Sequence, residues 1–283
     1  ELLASETEAE VYDAVGLPWI APEIREDNGE IDAALDDNLP ELLERDDIRG
    51  DLHTHTDWSD GNNTIEEMIE GAVEYGHEIL CISDHGEGPG VFGDNGLSDA
   101  EIRGQIEDIR AAADGADIDV FAGIETNVAA DGTVGTTSDE VLADLDLVIA
   151  SPHSGLGGEE DQTERLVAAI EHPSVDVLGH PSGRLINQRP AMEFDPQALG
   201  EAAAANDVAL EVNSNPSRLD LWGSAVKAAT DAGATISINT DAHSPEEYPF
   251  IRYGVHTARR GWAEAADVLN TWETADIRAF LHE

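Results

Sequence analysis

From Arg49 onward, short apolar runs rich in β-branched residues alternate with Ala/Glu-rich windows whose apolar positions recur at helical spacing. The runs predict strands leading into Asp51-Leu52-His53 and at Ile79–Ser83, Asp119–Ile124, Leu147–Ser151, Val175–Leu178, Ala209–Asn213 and Thr235–Asn239. The windows predict helices over Ile65–Tyr75, Asp99–Ala113, Ser138–Ala143, Gln162–Ile170, Pro196–Ala205 and Leu221–Ala232. Strand and helix in regular alternation imply parallel strands joined by right-handed crossovers. Seven unbroken strand units fit a distorted, closed α/β barrel better than two domains, with an open doubly wound sheet as the alternative. Residues 1–48 are polar and acidic apart from the apolar hook Val15-Gly16-Leu17-Pro18-Trp19-Ile20 with Pro22, and read as a connector ahead of one domain over 49–283. The tail, Ala258 to Glu283, reads as one or two further helices, with Val268, Leu269 and Trp272 as packing positions.

Composition narrows the classes. With 283 residues, 41% of them hydrophobic, the chain can bury a sizeable core. No apolar run approaches the roughly 18–20 residues of a membrane span, and Glu1-Leu2-Leu3 does not open a signal peptide, so a soluble cytoplasmic protein is expected. The start at Glu1 rather than Met reads as a segment of a longer protein. Cys81 is the only cysteine, which excludes an internal disulfide and a cysteine-built zinc finger; any metal must be held by His, Asp or Glu.

Charge changes the picture more. Against 61 acids stand 14 cations, a net charge of −47, and Lys227 is the only lysine. Such an excess ordinarily signals repulsion from nucleic acid and membranes. Here the acids are dispersed along the whole length, the texture expected of a cytoplasmic protein in a salt-saturated cell. At 1 M salt the Debye length is about 3 Å, so net charge then says little about partners.

The candidate chemistry collects at the strand ends. They read Asp51-Leu52-His53-Thr54-His55-Thr56 with Ser59-Asp60-Gly61, then Ser83-Asp84-His85, Gly123-Ile124-Glu125, Ser151-Pro152-His153, Gly179-His180-Pro181, Glu211-Val212-Asn213 and Asn239-Thr240-Asp241-Ala242-His243. In a parallel barrel the carboxyl ends of the strands share one face, where active sites are built. His53 and His55 alternate with their neighbours, so both imidazoles point to one side, and Asp241-x-His243 repeats the spacing. Six of the ten histidines thus fall at equivalent strand ends, the pattern of a metal centre, whereas His77, His172, His256 and His282 read as surface or packing residues. Asp51 and Asp84 read equally as carboxylates orienting histidines or as structural caps. Gly155-Leu156-Gly157-Gly158 lacks the Lys of a phosphate-binding loop and reads as a flexible loop near the site mouth; Cys81 reads as core, and Ser154 has no triad context.

The motif set D-L-H-x-H-T…S-D-G, S-D-H, G-I-E, S-P-H, G-H-P and T-D-A-H resembles the polymerase and histidinol phosphatase (PHP) superfamily, whose fold is a distorted seven-stranded barrel holding a trinuclear metal cluster. By that resemblance the ligands are His53, His55, Asp60, His85, Glu125, His153, His180, Asp241 and His243, holding three divalent ions, Mn²⁺ or Zn²⁺. Glu125 would bridge two of them, and Asp241 would belong to the catalytic set. Gly16-Leu17-Pro18-Trp19-Ile20, His180-Pro181-Ser182-Gly183-Arg184-Leu185, Asn213-Ser214-Asn215-Pro216 with Arg218, and Gly261-Trp262 with Asp267–Trp272 look like the carboxyl-terminal PHP portion of family X DNA polymerases. The implied activity is metal-dependent phosphoester hydrolysis: 3′–5′ exonuclease action on single-stranded or gapped DNA ends, with 3′-phosphatase and abasic-site incision alongside, and a polymerase half attached upstream. A histidinol-phosphate-type phosphatase and a non-catalytic scaffold are the alternatives. Arg184, and more weakly Arg218, are the expected phosphate contacts, while no basic stripe or aromatic platform for single strands is visible.

Overall fold

A computed structural model of the chain describes residues 6–88, 96–157 and 160–281. His282 and Gly158 lie outside them. Two short helices, α1 (Glu8–Ala14) and α2 (Glu30–Leu35), precede the barrel. There follow β1 (Gly50–Thr54), α3 (Ile65–Tyr75), β2 (Ile79–Ile82), α4 (Asp99–Ala113), β3 (Asp119–Asn127), α5 (Asp139–Leu142), β4 (Leu147–Ser151), α6 (Thr163–Ile170) and β5 (Val177–Leu178). The chain continues through α7 (Pro196–Asn206), β6 (Ala209–Asn213), α8 (Gly223–Asp231), β7 (Ile236–Asn239), α9 (Ile251–Arg260) and α10 (Thr274–Phe280).

The helices start where side chains can answer the free N–H groups of the first turn. Thr64 with Glu67 and Ser98 with Glu101 form capping boxes on α3 and α4, and Asp195 caps α7 ahead of Pro196. The seven strands pair in parallel in chain order from β1 to β7. The barrel nearly closes: Thr54 bridges Ala242, and the His55 N–H donates to the Ala242 carbonyl at 2.8 Å. Below that bridge a single 3₁₀ turn, Leu269–Thr271, fills the seam between β1 and β7. Buried Asn270 stitches it, its amide donating to the Gly50 carbonyl at 3.1 Å and its Oδ1 accepting from the Ile238 N–H at 2.7 Å.

Strand alternation sorts the core into layers. Leu80, Ile82, Val120, Ala122, Val148, Ala150, Leu210, Val212, Ile236 and Ile238 pack outward under the helices. Cys81, Phe121, Leu147, Ile149, Val177 and Ala209 fill the interior, which Ile277 and Leu281 close from below. No helix among the described residues is long and apolar enough to cross a membrane.

Two expectations change. Residues 20–48 pack on the barrel instead of trailing from it: Ile20, Ile24 and Ala34 cluster with Trp262, and Arg259 reaches both Glu23 and Glu44. The helix α9 begins at Ile251, ahead of the expected tail. Ile251, Gly254, Val255 and Ala258 form its buried stripe, and a Cβ at Gly254 would sit 2.0 Å from Ser214 Oγ, so the helix packs closely there.

His77, after α3, is a buried packing histidine wedged edge-on between Tyr75 and Tyr248, its ring nitrogens without hydrogen bonds. Burial, helped by the Arg45 charge, lowers its pKa to about 3. A histidine held neutral in the fold but free to protonate when unfolded withdraws stability as pH falls from about 6.5 toward the folded value, by about 1.4 kcal/mol per unit. Denaturant unfolding of His77→Phe from pH 7 to 5 should therefore show a shallower loss than the parent. Parallel curves would show that His77 does not contribute to acid sensitivity.

Candidate metal centre

The interior positions that are apolar at the bottom of the barrel become polar at the top. Along β3 the series Phe121, Gly123 runs on to Glu125 and Asn127; along β4, Leu147, Ile149 and Ser151 lead to His153. The same parity brings Glu211 and Asn213 inward on β6. Two candidate ligands lie in the left-handed backbone region, His180 at φ +25° and Asp241 at φ +56°, a strained geometry for non-glycine residues that clusters at functional sites.

The structure brings all nine sequence-derived candidates around one small cleft. Glu125 is central: its Oε2 lies 2.8 Å from His85 Nδ1, 3.4 Å from His53 Nε2 and 3.6 Å from His55 Nε2, and its Oε1 lies 2.9 Å from His180 Nε2 and 3.3 Å from His153 Nε2. Asp241 Oδ1 is 3.1 Å from His55 Nε2, and Asp60 Oδ1 is 3.3 Å from His243 Nε2 and 3.5 Å from His85 Nε2. The rings of His85 and His243 stack on His55 with centroids 4.5 Å away.

The charges respond to this crowding. Burial opposes ionisation of Glu125 and Asp241, but the surrounding imidazoles outweigh it and hold both well below the usual carboxylate range. Burial likewise opposes a proton on His53, yet Glu211, Glu125 and Asp241 raise its pKa. Burial with the neighbouring His85 lowers His55 to about 4, while Asp60 and Asp241 overcome burial and raise His243 to about 9.

Three constellations have metal-binding geometry: His55, Asp60, His85 and His243; His53, His55 and Asp241; His85, Glu125 and His153, each with its donor atoms within 4.8 Å of one another. His180 belongs to none of the three but touches Glu125. The donors fit divalent ions. Buried His53 Nε2, His180 Nδ1 and Glu125 Oε2 make no hydrogen bond, a loss of about 1–3 kcal/mol apiece that coordination removes. Imidazole with carboxylate and no thiolate suits Zn²⁺ or Mn²⁺.

Several supporting residues escape sequence reading. Glu211 accepts from His53 Nδ1 at 2.8 Å and from the His180 backbone N–H at 2.7 Å, and Asn127 Oδ1 accepts from His153 Nδ1 at 2.6 Å. The two ring contacts fix the tautomers of His53 and His153 and leave their Nε2 atoms facing the cleft, and the third anchors the His180 backbone. Position at a strand end was the only signal for either. Of the two roles open to Asp51 and Asp84, the contacts are mainly structural: Asp51 straps β1 to β7 through Thr240 and accepts from the His53 backbone N–H at 3.2 Å, and Asp84 holds Thr56, Ser59 and Gln105, steadying the loop that carries Asp60.

Arg184 also departs from expectation. Its Nε donates to the Arg218 carbonyl at 2.6 Å, Nη2 donates to the Leu219 carbonyl, and the guanidinium lies over Trp222. With its donors spent on the 218–219 backbone, it supports that loop rather than the cleft. The cleft, about 180 Å³, is lined instead by Arg189 and Arg218 with Leu156 and Leu185, beside His85, Glu125, His153, His180, Asp241 and His243. Of the expected mouth loop, Leu156 lines the cleft, and Gly157 lies against Arg189. A larger groove, about 610 Å³, lies against the N-terminal segment and contains none of these groups.

The PHP domain profile matches residues 51–215. The chain belongs to the PHP domain family. It is 40% identical to the DNA polymerase/3′–5′ exonuclease PolX of Bacillus subtilis over 99% of its own length, and it spans only 49% of that relative. It is 30% identical to the probable phosphatase YcdX of Escherichia coli over 69% of this chain and 78% of the other. Its fold matches histidinol phosphate phosphatase of Lactococcus lactis, solved with zinc, L-histidinol and phosphate, with a TM-score of 0.56 at 18% identity over 76% of this chain and 95% of that one. The PHP family match and these two relatives indicate a phosphoester hydrolase.

Proposed function

We propose that the cleft hydrolyses phosphodiester bonds at DNA 3′ ends, as a 3′–5′ exonuclease module working with up to three divalent ions, and that a polymerase half accompanies it in the full-length protein. The observation that carries this reading is the convergence of nine candidate ligand side chains, six of which line one cleft together with two arginines. Elsewhere Arg25, Arg49, Arg103, Arg110, Lys227, Arg259 and Arg260 are each spent on an acid, whereas in the cleft the acid beside Arg218 is the candidate ligand Asp241 and Arg189 gives its Nε to the Gly183 carbonyl. In a chain of charge −47, cations retained beside a metal site mark where an anionic substrate is received. The PolX relative, similar along almost the whole chain, supports DNA as that substrate.

Bound divalent ions would neutralise the phosphodiester oxygens, activate the attacking water and stabilise the leaving alkoxide. His53, His55, Asp60, His85, Glu125, His153, His180, Asp241 and His243 would hold them. Glu125, facing five imidazoles, would help hold the ions, and Asp241 lies between the ligand cluster and the Arg218 guanidinium, 3.4 Å from its Nε. Arg218 and Arg189 would clamp the non-bridging oxygens. The same smallness of the cleft, with the YcdX likeness, favours a monoester phosphatase as the second reading; 3′-phosphatase and abasic-site incision would use the same groups.

The deciding assay compares a 3′-ended oligonucleotide with histidinol phosphate at fixed Mn²⁺. Higher kcat/KM on DNA is expected, and the reverse ranking transfers the assignment to a small-molecule phosphatase. Arg218→Ala should reduce kcat/KM by about 10- to 100-fold, the loss of one charge-assisted hydrogen bond, with metal content unchanged. Metal loss in that variant would place Arg218 in the scaffold.

A further inference from the structure

Arg165 is a cation without an ion pair to an acid that is nonetheless 94% buried, in a protein with 61 acids to choose from. It stands in the first turn of α6, and its donors go mainly to main-chain carbonyls: Nε to Ala129 at 2.8 Å, Nη2 to Val128 at 2.6 Å and to Ser154 at 2.9 Å, with Nη1 reaching the Gln162 Oε1 at 3.4 Å. Burying an arginine is expensive, and burial does lower its pKa. An apolar residue would fill the space without that penalty, so the planar fork is there for what it joins.

It joins two arms of the metal centre. Val128 and Ala129 continue β3 just beyond Glu125 and Asn127; Ser154 follows His153, whose ring is held by Asn127. Nη1 also approaches Met192 Sδ at 4.0 Å, on the loop that carries Arg189. Two residues past Ser154, Leu156 lines the cleft and leans on Gly183, where a Cβ would meet Leu156 Cδ2 at 2.6 Å.

We propose that Arg165 is a positioning residue: its guanidinium locks the His153–Gly157 loop to the end of β3, and so fixes both the His153 ligand and the Leu156 wall of the cleft. This extends the metal reading to a residue that touches neither ion nor substrate. Arg165→Met keeps the stem and leaves the Val128 and Ser154 carbonyls unserved, while Ala129 retains the Gly132 N–H. Arg165→Lys serves one at a time.

Hydrogen exchange and Mn²⁺ titration of the two variants test it. Amides of Ser154 to Gly157 should exchange about tenfold faster or more in Arg165→Met, with Leu52–Thr54 on β1 unchanged, and Lys should fall between Met and the parent. One class of Mn²⁺ sites should weaken by about 10- to 100-fold, the effect usual for a residue supporting a ligand, while the remaining sites keep their affinity. Faster loop exchange with unchanged Mn²⁺ binding would uphold the loop lock but sever it from the metal reading, overturning the positioning role. Parental exchange in a folded Arg165→Met overturns the lock itself. If Met does not fold, Lys carries the test, and a Lys variant that also fails to fold assigns Arg165 to the core and overturns the proposal.

Discussion

Chelator-treated protein is expected to lose phosphoester hydrolysis by about 100-fold or more and to recover it on addition of Mn²⁺ or Zn²⁺. The magnitude follows from the several kcal/mol of transition-state charge that divalent ions neutralise. His53→Ala should bind fewer ions by elemental analysis and suffer a comparable loss. His53 is fully buried, its Nδ1 is committed to Glu211, and its Nε2 faces Glu125 and Asp241, so no neighbouring side chain can take its place. Loading should also be proton-linked. Without ions, carboxylates raise the pKa of His53, His85 and His243, and each of these imidazoles must release its proton to coordinate. Mn²⁺ affinity is thus expected to rise with pH, with proton release detectable on titration in weak buffer. Full activity in a preparation shown to be metal-free, or a parental rate in His53→Ala, would remove the metal centre from the mechanism.

The barrel and the convergence of the candidate ligands were legible because both follow from local rules. Strand parity carries Phe121 and Leu147 inward at the bottom and Glu125 and His153 inward at the top, and parallel connection puts every carboxyl end on one face. What escaped depends on loop geometry. Arg184 and Arg189 sit five positions apart in one loop and carry the same group, yet only Arg189 lines the cleft, because the Arg218 and Leu219 carbonyls engage Arg184. Glu211 differs from other inward polar residues only in lying within 2.8 Å of His53, a fact set by the relative heights of β1 and β6 around the barrel. The N-terminal helices were hidden for another reason. Among the described residues Val11, Val15, Trp19, Ile31 and Leu35 remain exposed there, so the segment shows no clean separation of apolar and polar faces.

Raising KCl from about 0.1 to 3 M is expected to increase both the melting temperature and the nuclease activity of this chain. For most DNA-binding proteins the opposite holds, since each phosphate contact releases condensed counterions and affinity falls with a log-log slope of about −0.9 per contact. Here that loss is small, because Arg189 and Arg218 are the cations lining the cleft and the clustered ligands with their ions would supply much of the local binding. The gain is large. The fold carries a charge of −47, and its carboxylates repel one another at low salt over a Debye length of about 10 Å. At 3 M that length falls below about 3 Å, and the repulsion among exposed acids is screened, whereas buried contacts such as Asp51 to Thr240 are scarcely touched. Dispersed acids and a single lysine are expected to suit the protein to concentrated salt. Activity that peaks at the low end and decays steadily, with no rise in melting temperature, would refute that expectation and make the acidity evidence against DNA as the substrate.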